Sequence, residues 1–212
     1  MPVRSETEFL RLFVARLARS ESGISITEFS LMLPVFITSL LLGMDTLWFV
    51  HAHQEASRLA TSTADLAARY RASLDEKDVK SLFLGARLST DGVDFLGKGR
   101  LVLSSVTRNS ANNGHWVRWQ RCQGSLTNVS QLGIENAGQS SSSVAKVAGM
   151  TLNPGDNVMY AEVFYKYQPL FFTALFPKDK LIKYNASFMA REIALPSLTN
   201  VTNLGSGSKA LC

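Results

Sequence analysis

Gly23, Ile24 and Glu28 are spaced so that breaking one peptide bond would create half of an ion pair. If the chain is cut after Gly23, Ile24 gains a free amino group and Glu28 becomes the fifth residue of the new chain. The setting is the edge of an apolar run, where a low dielectric strengthens the attraction between opposite charges and makes an unpaired charge costly. A carboxylate placed there can pair with the amine of a neighbouring subunit in a helical assembly and set its register. The plainer reading is an acid at the end of a membrane span that reaches out to the interface. Holding it deeper would cost about 2.5–3.5 kcal/mol on insertion scales.

Other constellations carry less chemistry. His51 and His53, with Glu55 nearby, are two apart on a predicted helix, so they point to different sides and do not chelate as an i, i+4 pair does. They read as a solvated pair at an interface, with Trp48 in the same headgroup belt. Asp45 reads as hydrated, or as a contact with a partner helix. The serine run at Ser141 has no identifiable histidine or acid to activate it. No nucleophile elbow, phosphate loop or Cys–His metal spacing is present. The chain therefore reads as non-catalytic, with no metal and no cofactor. Trp116, Trp119, Tyr160, Phe164, Tyr165 and Tyr167 read as core and cross-strand pairs. Cys122 and Cys212 fit either one disulfide, if the bulk of the chain is exported, or two unpaired thiols. A bridge would close a loop of about 90 residues and contribute roughly 4 kcal/mol by the loop-entropy model.

These residues need an element to hold them. From Ile24 to Val50 the chain is mostly apolar, with Glu28 and Asp45 as its only charges, and is longer than the ~20 residues that cross a bilayer as a helix. Pro34 inside it is compatible with a membrane helix, with a kink. Arg11, Arg16 and Arg19 precede the run closely and Arg58 alone follows it closely, which orients the N-terminus to the cytoplasm. Residues 1–22 have helical apolar spacing (Phe9, Leu10, Phe13, Val14, Leu17) and suit a helix lying on the membrane surface. Residues 51–72 are alanine-rich, free of Pro and Gly, and put Ala52, Ala56, Leu59, Ala60, Thr63, Ala67 and Tyr70 on one face. The helix therefore continues beyond the span, and 75–88 is predicted as a further short helix.

After Gly92 the period changes from helix to strand. The runs 100–108, 115–122, 157–168 and 181–193 are predicted strands. Leu101, Leu103 and Val106 are expected opposite Trp116, Arg118 and Gln120 in a hairpin, and 124–149 reads as a long loop. The predicted fold class is α+β: a long N-terminal transmembrane helix followed by an antiparallel sheet, with segments 1–23, 24–50, 51–90 and 91–212. At 212 residues with 46% apolar composition, the chain can build a core outside the span. Its net charge of +5 is scattered, so no nucleic-acid partner is expected.

The stretch "GISITEF" resembles the prepilin-peptidase site of type IVc pilins: a glycine, four residues, then Glu-Phe. "EFSLMLP", with Glu28, Phe29, Leu31, Leu33 and Pro34, resembles the opening common to TadE-like proteins of tight-adherence (Flp) pilus systems. "VRWQRCQG" (117–124), "AEVFYKYQPLF" (161–171) and "ASFMARE" (186–192) are similar to further segments of that family. Major Flp pilins carry Glu-Tyr at this place and are far shorter. The resemblance therefore implies a pilin-like minor pseudopilin, made as a bacterial inner-membrane precursor with its C-terminal domain in the periplasm. It implies a prepilin peptidase as partner, cutting between Gly23 and Ile24. Recognition and registration would fall to Glu28, Phe29 and Pro34. The other partners implied are the lipid bilayer, other pilins or minor pseudopilins and the pilus assembly platform, acting in surface adhesion. The rival readings are an uncut single-pass envelope protein with a partner-binding outer domain, and a secreted protein that loses its first 50 residues.

Overall fold

The computed structural model describes residues 11, 14–15, 22–70, 74–90, 93–111, 114–140, 151–175, 178–190 and 197–212. The predicted surface helix within 1–22 lies outside these residues, apart from Arg11, Val14 and Ala15, which are helical and exposed. The chain divides into two compact units, Met1–Thr46 and Leu47–Cys212.

Helix α1 is Ser22–Ala68, with Pro34 inside it. Within the first unit its side chains from Ile26 to Leu40 are exposed without interruption. The second unit holds the remainder of α1, then α2 (Glu76–Leu88), the single turn α3 (Phe95–Lys98), and strands β1 (Gly99–Arg108), β2 (His115–Gly124), β3 (Asn157–Tyr167) and β4 (Lys180–Met189). Helix α2 starts where Asp75 caps it. The Asp75 carboxylate accepts from Lys77 N–H, and the Asp75 N–H donates to Asp78 Oδ2 at 3.0 Å, closing a capping box.

The four strands form one antiparallel sheet in the order β2-β1-β3-β4. Their predicted positions hold to within about two residues, except that the predicted end of the last strand, 191–193, lies outside the described residues. Valine and aromatic side chains dominate β3, which is central and buried along almost its whole length, as its composition requires.

The hairpin register differs from expectation. Leu103 pairs with Arg121 and Val106 with Val117, and a bulge between Ser105 and Val106 leaves Arg118 without a partner. The extra residue exchanges the faces of β2. Trp119 consequently joins one apolar cluster and Val117 the other. Trp116, expected in the core, is half-exposed beneath the Arg118 guanidinium, 4.6 Å from its ring centroid.

The larger cluster lies between the sheet and the helices. Ala52, Ala56, Leu59, Ala60, Ala64 and Ala67 of α1 meet Leu103, Trp119, Met159, Ala161, Val163 and Tyr165, with Val79 and Phe83 of α2. The predicted helical face is the buried one, because small side chains let the helix lie close to large ones on the sheet. The segments 51–90 and 91–212, read separately in the sequence, thus share one core. The opposite sheet face is covered by the loop after β2, where Val106, Val117, Leu132, Leu152, Val158 and Tyr160 form a second cluster. Part of that long predicted loop, 141–150, lies outside the described residues.

Candidate functional site

Gly23 and Ile24 lie in the first turn of α1, and Glu28 follows Ile24 by four residues. Positions four apart share a helix face, so the Glu28 carboxylate stands about one turn above the Ile24 nitrogen. Glu28 is exposed and makes no hydrogen bond or ion pair among the described residues. Phe29 is 68% exposed. A negative group near a helix N-terminus also complements the helix dipole. A cut at Gly23 would bring the carboxylate into that position, together with a new positive amine.

From Phe29 onward the surroundings of Glu28 are mostly apolar. Ile26, Phe29, Leu31, Met32, Val35, Phe36 and Leu40 are all largely exposed, and mean hydropathy reaches 1.7 over the most apolar window, none of it buried. A helix that packs in a water-soluble core shows one apolar stripe; this one has no polar face. Three of its hydroxyls bond to its own backbone. Thr38 Oγ1 donates to Pro34 O at 2.9 Å, Ser39 Oγ to Val35 O at 2.9 Å, and Thr46 Oγ1 to Leu42 O at 2.8 Å. Internal satisfaction of this kind is what a hydrocarbon environment demands. Asp45, expected to be hydrated or to meet a partner helix, is completely buried and engaged within this chain.

Beyond the apolar run, His51 and His53 are taken up by packing. His53 Nδ1 lies 3.1 Å from the Tyr184 hydroxyl, and its ring stacks edge-on against Phe49 at 4.5 Å. Burial, with help from Lys180, lowers its pKa, which favours the neutral ring. Glu55 is buried and pairs with Arg58 at 3.3 Å. His51 lies against Trp48, ring centroids 5.5 Å apart, so the three residues have separate neighbours, and among the described residues no three His, Cys, Asp or Glu side chains are grouped to hold a metal.

Among the described residues of the sheet unit, two buried polar links and a disulfide tie distant parts of the chain together. Arg121 of β2 lies buried against Glu76 of α2, with Nη2 2.5 Å from Oε1 and Nε 3.0 Å from Oε2, and it reaches Glu135 at 2.8 Å. Burial works against its charge, but the hydrogen bond and charge of Glu76 outweigh it and raise the Arg121 pKa. Glu162 of β3 is buried beneath the loop, where its carboxylate accepts from the Ser130 hydroxyl and from Gln131 N–H. Burial raises its pKa against those hydrogen bonds and the charge of Lys183. The neighbouring Tyr160 is pushed up to about 12 by burial and by Glu162. Lastly, a disulfide joins Cys122 of β2 to Cys212, across 90 positions of sequence. It fastens the C-terminal tail, where Cys122 N–H also donates to Ala210 O at 2.8 Å.

The expected site residues therefore fall into two groups. Gly23, Ile24, Glu28, Phe29 and Pro34 lie on α1, whereas Cys122 and Cys212 lie in the sheet unit. Sequence reasoning missed the Arg121–Glu76 pair and the Glu162 latch, which join residues far apart in the chain. The one available signal was a glutamate inside an otherwise apolar strand, at Glu162. Compared with protein-family models, with curated proteins and with solved structures, the chain matches none.

Proposed function

We propose that this chain is a minor pseudopilin of the TadE-like kind, acting in assembly or initiation of a tight-adherence pilus. A prepilin peptidase would cut between Gly23 and Ile24, leaving a bacterial inner-membrane protein with its sheet domain in the periplasm. The observation that carries this reading is the carboxylate of Glu28, exposed at the start of the largely apolar stretch of α1, four residues after Ile24. An exposed face of that kind needs lipid or other helices around it. A single unpaired acid at its start needs a cation, and the Ile24 amine of a neighbouring subunit would supply one. The motif resemblance across Gly23–Pro34 supports the same assignment, with Phe29 and Pro34 in recognition by the peptidase and platform. The role is structural, not catalytic.

The test is the mature N-terminus, measured by mass spectrometry on protein from native membranes with and without the prepilin peptidase. A peptide beginning at Ile24 that vanishes without the peptidase is the expected result. A chain that keeps its first residues in both strains overturns the reading and leaves an uncut envelope protein. In the first case Glu28→Ala inserts normally but abolishes pilus assembly.

A further inference from the structure

The two edges of the sheet are finished differently. Along the outer edge of β2, Val117 N–H donates to Ala137 O at 3.0 Å, Val117 O accepts from Asn136 N–H at 2.8 Å, and Cys122 N–H donates to Ala210 O. The loop and the disulfide-bound tail thus close that edge. At β4, Ala190 N–H donates to Asn157 O at 2.8 Å. Because bonding alternates along an antiparallel pair, residues 182, 184, 186, 188 and 190 bond towards β3. The backbone N–H and C=O of Leu181, Lys183, Asn185, Ser187 and Met189 therefore point away from the sheet, and among the described residues nothing pairs with them. The strand is ten residues long and contains no proline. Long edges of this kind are templates for another strand.

The space beside this edge has matching form. A groove of about 1030 Å³ runs between β4 and the face of α1 from Phe49 to Arg69, with Tyr184 and Phe188 on the sheet side. That stretch of helix is about 30 Å long at 1.5 Å per residue, the span of roughly nine residues of extended strand. The charge along the β4 edge, rather than within the groove, is unbalanced. Asp65 is already paired with Arg69 at 2.7 Å, and buried Glu55 with Arg58. Lys180 and Lys183, both exposed, make no ion pair among the described residues. Their ammonium groups lie instead 5.1 Å and 5.6 Å from the ring centroids of Phe49, which lines the groove, and Phe164, on the opposite face of the sheet, so they flank the edge on both faces.

We propose that β4 and this groove form a docking edge for an extended, acidic segment of a partner protein, which adds to the sheet as a fifth strand. Open backbone groups select an extended chain, and the unpaired lysines select its charge. The surface does not depend on whether the chain is cut at Gly23.

The experiment uses the full chain in detergent micelles and fluorescein-labelled nine-residue probes that alternate valine or threonine with glutamate, or with lysine. The glutamate probe should bind about tenfold or more tighter than the lysine probe and slow amide exchange between Leu181 and Met189. Ser187→Pro deletes one outward N–H without touching the β3 ladder, and should weaken glutamate-probe binding by about tenfold. The double variant Lys180→Glu with Lys183→Glu keeps the backbone and should reverse the preference towards the lysine probe, so the proposal stays testable even if the proline variant unfolds. Equal binding of both probes, protection confined to another segment, or no reversal in the double variant would overturn it. Self-association of the chain through β4, seen as a dimer lost on Ser187→Pro, would also overturn it by making a second copy the occupant.

Discussion

Along α1, Ile26, Phe29, Leu31, Val35 and Phe36 stand exposed, whereas Ala52, Ala56, Ala60, Ala64 and Ala67 are buried almost completely. The larger apolar side chains are the uncovered ones. In water this arrangement would be unfavourable by about 1.5–3 kcal/mol for each large side chain left exposed. The alanine stretch owes its stability to the sheet it packs against, and the leucine-rich stretch to whatever surrounds it. The difference lies in how the apolar residues are spaced: beyond Val50 they recur once per turn with Gln54, Arg58 and Thr61 between them, and before it they are nearly continuous.

Three substitutions would break or sharpen this contrast. The largest effect belongs to Arg121→Ala, which leaves Glu76 buried without its partner. It should cost about 3–5 kcal/mol of sheet-unit stability, measured by denaturant unfolding, while membrane insertion stays unchanged. Leu40→Arg should do the reverse. It places a charge in the apolar run and should disfavour insertion by about 3 kcal/mol, read from glycosylation-site reporters of insertion, with the unfolding midpoint of the sheet unit unmoved. A loss of sheet stability in Leu40→Arg would show that the two stretches do not obey separate rules.

The smallest effect is a matter of pH. Burial raises the Glu162 pKa above its ordinary value of 4.5, so between that value and its folded value the native chain binds more protons than the unfolded one. Its contribution is fully present below pH 4.5 and is lost as pH rises through the folded pKa. Glu162→Gln should remove that loss, so the variant falls behind or overtakes the parent depending on pH, gaining on it as pH rises. Asp75 has the opposite slope: hydrogen bonds, above all from Thr202, lower its pKa, so its contribution disappears as pH falls. Because Asp75 is common to both proteins, unfolding midpoints compared between pH 4 and pH 8 isolate Glu162. Parallel pH curves for parent and variant would remove Glu162 as their cause.

Much of this was legible in the chain. The apolar run, the alanine face and the strands from Gly99 onward follow from periodicity and residue type, which act over a few neighbours. The hairpin register was not, since a bulge at Arg118 changes faces without changing the alternating pattern that marks a strand. The burial of Asp45 was also hidden, because a lone acid near the end of an apolar run looks the same whether water or protein surrounds it.

What the amino-acid sequence determined by itself is the helix, its apolar and alanine stretches, the four strands, and the isolated position of Glu28 after Gly23. What only the tertiary structure decided is which residues meet: Cys122 with Cys212, Arg121 with Glu76, Glu162 with Ser130, and an edge at β2 closed by the loop and tail while among the described residues none pairs with the outer edge of β4. The reason is physical. Local preference is set by each residue and its near neighbours, whereas pairing across tens of residues depends on strand order, register and the packing of whole faces.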